Sequence, residues 1–175
     1  IQPSSRQADR LYRELVDSVA EQGGATAWDL YCGVGVIGLY LAKRFTRVYG
    51  IDSEPHHIEL AARNAAANHI SNMTFVAGRA EQLLRDRRAW LAEEAKPDVI
   101  VVDPPRSGLH LDAISSLLAA RPRTLAYMSC NAQALARDLA VLTSSYPRYQ
   151  VISLRAYDMF PQTNHVEVLA VLRRH

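Results

Sequence analysis

The sequence predicts an α/β domain: a mostly parallel sheet with helices on both faces and an antiparallel strand pair at its C-terminal end. Three observations carry this. Apolar periodicity switches repeatedly between strand-like and helix-like along the 175 residues. The run Asp98-Val99-Ile100-Val101-Val102-Asp103 is apolar between its two aspartates, as a strand buried on both faces must be. The last two strand candidates follow one another with only a loop containing Pro161 between them.

Taken in order, residues 5–22 place Ala8, Leu11, Tyr12, Leu15, Val16 and Val19 on one helical stripe, and Gly23-Gly24 ends it. Ala27 to Tyr31 reads as a short buried strand, and after a glycine turn Ile37 to Phe45 is helical. Arg47 to Asp52 is a second strand closed by a carboxylate. Pro55 to Asn68 is a helix with proline in its first turn. Met73 to Val76 is a third strand, and the charged stretch 80–95 reads as a solvent-facing helix. The strand 98–103 is closed by Pro104-Pro105; helix 111–120, strand Thr124 to Ser129 and helix 132–143 follow. Tyr149 to Tyr157 and His165 to Leu172 are the final strands. No internal repeat or linker interrupts the pattern, so a single domain is expected.

Composition limits the classes of function. Hydrophobic residues are 49% and charged residues 22%, an ordinary globular mix, and the net charge of +2 neither demands nor forbids a polyanionic partner. No apolar run is long enough for a membrane span, and no signal peptide opens the chain. The two cysteines, Cys32 and Cys130, form no C-x-x-C pair. Neither a zinc site nor a disulfide framework is expected, and a reducing, cytoplasmic setting is the simpler reading. The chain opens on Ile1 rather than Met, which points to a fragment.

Ligands in open parallel sheets bind beyond the carboxyl ends of the strands, and the candidate residues fall there. Gly33-Val34-Gly35-Val36-Ile37-Gly38 is a G-x-G-x-x-G turn between strand and helix, where a ligand can approach the backbone closely. Asp52, about 20 residues on, stands where a carboxylate accepts ribose hydroxyls. These features suit NAD and S-adenosylmethionine alike. Asp29 before the glycines and Asp103-Pro104-Pro105 after the fourth strand resemble class I methyltransferases. Cys130, where a strand gives way to a helix, is placed for activation as a nucleophile, and its alternative is a thiol packed as a small hydrophobe. Cys32, inside the glycine turn, reads as packing. Glu167 opens an apolar strand and is a candidate base, with His165 on the same strand face as an alternative or orienting group.

The stretches D-L-Y-C-G-V-G, D-P-P-R-S-G-L, S-C-N-A-Q-A-L-A-R-D-L and D-M-F-P-Q-T-N-H-V-E together resemble the RNA uracil-5 methyltransferases that act on ribosomal and transfer RNA. The resemblance covers essentially the whole chain and implies a Rossmann-like class I methyltransferase fold with S-adenosylmethionine as cofactor. It implies that Cys130 is the nucleophile and Glu167 the base. Gln2, Tyr31, Asp52 and Asp103 match positions that contact the cofactor, with Val36 contributing through its backbone beside Gly33 and Gly35. The implied chemistry is addition of a thiolate to carbon 6 of uracil, which makes carbon 5 nucleophilic, followed by removal of its proton.

The chain departs from the family pattern at Ser4, where Asn is usual. It also has Arg79 where many methyltransferases carry an aspartate after the third strand; a backbone N–H could serve adenine there. Family members usually carry an N-terminal RNA-binding region, in some cases with an iron–sulfur cluster, which this chain is expected to lack. An unstacked uridine in ribosomal or transfer RNA is the expected substrate. Arg106 is placed to meet phosphate or uracil, and Phe160 to stack on the base. No obligate protein partner is indicated. The competing readings are an amino-directed base methyltransferase using the D-P-P loop, which needs no cysteine, and a non-catalytic cofactor- or RNA-binding module. A cytosine-5 DNA enzyme fits less well, because its nucleophile usually follows proline.

Overall fold

A computed structural model describes residues 5–21, 24–86, 96–159 and 166–175. The elements run α1 (Ser5–Ala20), β1 (Thr26–Leu30), α2 (Val36–Leu41), β2 (Arg47–Asp52), α3 (Pro55–Ala67), β3 (Met73–Ala77), α4 (Ala80–Arg85), β4 (Val99–Val102), α5 (Leu111–Ala120), β5 (Thr124–Ser129), α6 (Ala132–Ser144), β6 (Tyr149–Asp158) and β7 (Val166–Arg174). The strands form one seven-stranded sheet in the order β3-β2-β1-β4-β5-β7-β6. The first five are parallel, and β7 runs antiparallel between β5 and β6. The expected α/β architecture and its C-terminal pair are therefore present, with β6 on the outer edge.

Alternation along each strand divides the core into two layers, because successive side chains point to opposite faces. Val99 and Val101 of β4, Ala126 and Met128 of β5, and Leu169 and Val171 of β7 pack with Leu11, Leu15 and Val19 of α1 and Ile37 and Leu41 of α2. Their neighbours Ile100, Val102, Leu125, Tyr127, Ala170 and Leu172 pack on the other face with Leu84 of α4, Leu117 of α5 and Leu135 of α6. The central Val-Ile-Val-Val strand is buried throughout. Each such side chain contributes about 1.5–3 kcal/mol by leaving water, so the middle of the sheet is a rigid base for whatever its strand ends carry.

Helix α1 is fixed across the sheet edge by Glu14. Its Oε2 accepts from Tyr157 Oη at 2.6 Å and Arg155 Nη1 at 3.0 Å of β6, and its Oε1 accepts from Arg10 Nε at 2.7 Å. The Tyr157 hydroxyl and these guanidinium groups hold the Glu14 carboxyl down at about 2. Two expectations need correction. The helix expected over 37–45 ends at Leu41, its last residues turning in tighter bonds such as Arg44 N to Leu41 O. The solvent-facing helix expected over 80–95 is a short α4 that buries Ala80, Glu81 and Leu84; residues 87–95 lie outside the described residues. Its charges misled because Glu81 points inward as one half of an ion pair.

Candidate active site

The sheet order reverses between β1 and β4, which opens a crevice at their carboxyl ends. Tyr31 leaves β1 with φ 62°, and Gly33 and Gly35 follow with φ 52° and 84°. A side chain added at Gly33 would meet nothing within 4 Å, so this turn presents bare backbone to open space. One added at Gly35 would press its Cβ to 3.0 Å from that of Ala61. Val36 is the first residue of α2, with its side chain partly exposed. Cys32 is buried in the turn, as expected, and burial first, then the charges of Asp29 and Asp52, push its thiol up.

Asp52 ends β2 and reaches back to the turn. Its Oδ2 accepts from Gly33 N at 2.8 Å, its Oδ1 accepts from Glu54 N at 2.9 Å, and His57 Nδ1 lies 3.2 Å from Oδ1. The carboxylate is thus aimed by the backbone, while each oxygen retains accepting capacity for a hydroxyl. Asp29 is completely buried; its Oδ2 accepts from Gly38 N at 2.8 Å. Its Oδ1 has no hydrogen-bond partner among the described residues. Burial pushes Asp29 up to about 8 against the opposing Gly38 hydrogen bond. A cavity of about 200 Å³ adjoins this turn, lined by Tyr31, Asp52, Ser53, Arg79, Glu81, Pro105 and others.

The reacting-group candidates lie further along the sheet, at the same end of its strands. Ala27 and Leu169 face α1 and α2, so Asp29, two residues along β1, and Glu167, two back on antiparallel β7, fall on that same face, while Asp103 and Cys130 lie just past the ends of β4 and β5. Ser129 pairs with Val168 across β5 and β7. That is the last pair of the ladder, and Cys130 and Glu167 are the residues that flank it. On its other side Glu167 pairs with Tyr157 of β6. Asp103 is pushed up to about 7 by burial first and the Glu167 charge second. Tyr12 of α1 is raised by burial and then by Asp103 and Glu167, so α1 adds a phenol to this carboxylate group.

The loop after β4 is clamped to α6. Asn131 caps α6, its Oδ1 accepting from Gln133 N and Ala134 N, and its Nδ2 donates to Arg106 O at 2.9 Å. Cys130 therefore stands one residue before the cap rather than in the first helical turn. Asp138 is buried; its Oδ2 accepts from Leu109 N at 2.7 Å and Tyr127 Oη at 2.6 Å. Arg137 pairs with Asp138 Oδ1 at 2.7 Å and donates to Ser107 O at 2.9 Å. Gly108, with φ 79°, leaves room for both: a Cβ there would sit 2.6 Å from Asp138 Oδ2. The Arg106 side chain is on the surface. Gln2, Phe160 and His165 lie outside the described residues.

The sequence reading did not assign Asp138, Arg137, Tyr12 or Glu81. The signal for the first two was the Arg-Asp pair one to two turns into a helix opened by Ser-Cys-Asn, and for Tyr12 its place on the apolar stripe of α1. Among the described residues, no group of three or more His, Cys, Asp or Glu is gathered to hold a metal ion.

A doubly layered sheet in this order, with glycine turn, β2 carboxylate and acidic strand ends on one side, defines a class I methyltransferase domain. The whole chain, residues 1–175, matches the family described as tRNA (Uracil-5-)-methyltransferase, and it belongs to that family. A relative named as an RNA methyltransferase of Listeria innocua is 44% identical over 168 residues, 96% of this chain and 35% of the relative. The chain spans about a third of the length of the curated relatives it matches. Among solved structures, the tRNA (uracil-54, C5)-methyltransferase of Pyrococcus abyssi, in complex with S-adenosyl-L-homocysteine, is 35% identical with a TM-score of 0.80. The match covers 98% of this chain and 39% of that one. The N-methyltransferase NodS of Bradyrhizobium japonicum shares the fold at a TM-score of 0.74 and 17% identity, over 98% of both chains.

Proposed function

We propose that this chain transfers a methyl group from S-adenosylmethionine to carbon 5 of a uridine in cytoplasmic ribosomal or transfer RNA, through a covalent adduct on Cys130. The observation that supports this is the end of the β5–β7 ladder, where Cys130 and Glu167 flank the last pair, Ser129 and Val168.

The residues present fit the cofactor. The Asp29 oxygen left without a partner suits a cationic amino group, the open Gly33 backbone suits the close approach of a ligand, and Asp52 suits a ribose diol. Tyr31 lines the cavity beside Asp52, and Val36, Asp103 and Gln2 complete the set by family resemblance. When bound, S-adenosylmethionine supplies an electrophilic methyl group on a sulfonium sulfur.

The chain's own groups do the rest. The Cys130 thiolate adds to carbon 6 of an unstacked uracil, and the electron pair of the 5,6 double bond passes to carbon 5 and the 4-carbonyl as an enolate. Carbon 5 would then be the nucleophile for the donor's methyl group, the sulfur–methyl bond breaking to leave a neutral thioether. Glu167 then removes the proton from carbon 5, the carbon 6–sulfur bond breaks, and the thiolate returns. The Asn131 and Arg137-Asp138 ties hold the Asp103–Leu109 loop against the Cys130 turn, so cofactor side and nucleophile side keep one geometry. Arg106, Phe160 and His165 are placed by sequence to meet the RNA.

The test is covalent trapping on RNA containing 5-fluorouridine with S-adenosylmethionine present. Fluorine cannot leave carbon 5 as a proton, so the expected product is a methylated protein–RNA adduct that survives denaturing electrophoresis and maps to Cys130. Undiminished methyl transfer by Cys130→Ala would instead favour an amino-directed enzyme.

A further inference from the structure

Arg121, Arg123, Arg148 and Arg174 gather with Tyr146 at the end of the sheet opposite the transfer cleft. β5 starts there at Thr124 and ends at Ser129, beside Cys130, so this surface lies about 20 Å from the nucleophile. Backbone bonds hold the group together: Arg174 N donates to Arg123 O at 3.0 Å, His175 N donates to Arg148 O at 3.0 Å, and Arg174 Nη1 donates to Arg121 O. Arg121 closes α5 with φ 53°, where glycine is the usual residue. Its Nη2 donates to Tyr146 Oη at 3.2 Å, and its guanidinium carbon lies 5.4 Å from the centre of the Tyr146 ring. Tyr146 is 83% exposed. An open groove of about 410 Å³ runs beside it, lined by Ser115, Leu118, Ala119, Arg121, Tyr146 and Pro147.

Other exposed arginines face carboxylates, as Arg137 faces Asp138 and Arg155 faces Glu14. Among the described residues, Arg121, Arg148 and Arg174 have no such partner. Asp98, whose carbonyl accepts from Arg123 N, turns its Oδ2 to Ala25 N and Thr26 N. Burial pushes the Tyr149 phenol up, and the Arg174 and Arg121 charges oppose this, so both guanidinium groups act at one point. Clustered charge of one sign attracts a polyanion. A phenol backed by a guanidinium is a face on which a nucleobase stacks, and a lipid headgroup has no use for it. We propose that this end of the domain is a second RNA contact, in which Arg121 and Arg148 take backbone phosphates, Arg174 adds its charge, and Tyr146 stacks on an unpaired base beside the groove. The surface is too far from Cys130 to touch the reacting uridine, so it adds affinity without chemistry. This rests on the reading that the chain acts on RNA, and not on which base it methylates.

The test is fluorescence anisotropy of a labelled oligoadenylate of about 12 nucleotides, which fits one binding groove and offers the transfer cleft no uridine. It is titrated over a series of salt concentrations with the wild-type chain, the double variant Arg121→Gln/Arg148→Gln, Tyr146→Ala and Tyr146→Phe, each checked by thermal unfolding to be folded. The double variant should bind about tenfold more weakly at physiological salt and flatten the plot of log affinity against log salt by about 1.4, about 0.7 for each phosphate contact on a single strand. Tyr146→Ala should weaken binding about fivefold or more at unchanged slope, while Tyr146→Phe, which keeps the ring, should stay within about twofold of wild type. An unchanged slope in the double variant, equal losses in Tyr146→Ala and Tyr146→Phe, or no binding by the wild type would overturn the assignment. So would sedimentation with phosphatidylserine vesicles that the double variant loses while keeping its RNA affinity. The transfer reading fails by a different sign, absence of the Cys130 adduct, which leaves these affinities as they are.

Discussion

Replacing Asp138 with alanine tests whether the clamp between α6 and the loop after β4 is a structural necessity. The Asp138 side chain is 1% exposed and accepts from Leu109 N, Tyr127 Oη and the Arg137 guanidinium. Alanine strands two buried donors, the Leu109 N–H and the Tyr127 hydroxyl. Each costs about 1–3 kcal/mol when left unsatisfied. Arg137 is 57% exposed and regains water, so its lost pairing adds little. The expected destabilisation is about 3–5 kcal/mol, read in urea denaturation as a lower midpoint at unchanged slope. Asp138→Asn keeps an acceptor for both donors and should cost clearly less. Tyr127→Phe should destabilise the wild type by about 1 kcal/mol yet be neutral or stabilising beside Asp138→Ala, because there it removes a stranded hydroxyl. A cost below about 1 kcal/mol for Asp138→Ala, or the same Tyr127→Phe cost in both backgrounds, would refute the reasoning.

Two further outcomes are expected. Glu167→Gln should lower turnover by about 10²- to 10⁴-fold and accumulate a covalent adduct with ordinary uridine RNA, visible on a denaturing gel; turnover within tenfold of wild type would place the base elsewhere. The second concerns pH. Burial raises Asp29 to about 8 and Asp103 to about 7 from unfolded values near 4. The folded state therefore holds protons that the unfolded chain releases. This contribution is complete below about pH 4 and is lost as pH rises through about 7 to 8, so the ligand-free chain should lose stability across that window, on the order of a few kcal/mol. Asp29→Asn should flatten the slope in thermal unfolding; an unchanged slope would mean that Asp29 is ionised in the fold.

Much of this protein could be read from local pattern. The Val-Ile-Val-Val strand, the alternation of strand and helix, and the Gly33–Gly38 turn are set by periodicity and backbone freedom, which act over a few residues. So are the strand-end positions of Asp52, Asp103 and Cys130. Strand order was not local: β7 inserts antiparallel between β5 and β6, and that pairing sets Glu167 and Cys130 at the same end of neighbouring strands. Burial of charge was equally out of reach, because a sequence does not say which carboxylates a fold surrounds. Glu81 looked like one more charge on a solvent-facing helix, and Asp138 like an ordinary helical aspartate. Tertiary packing turned the first into a covered ion pair and the second into the anchor of a loop some thirty residues away. The sequence by itself determined the elements and the chemistry at their ends, since those depend on neighbours along the chain. Only the tertiary structure decided which of those ends meet and which charges lose their water, since these depend on neighbours in space.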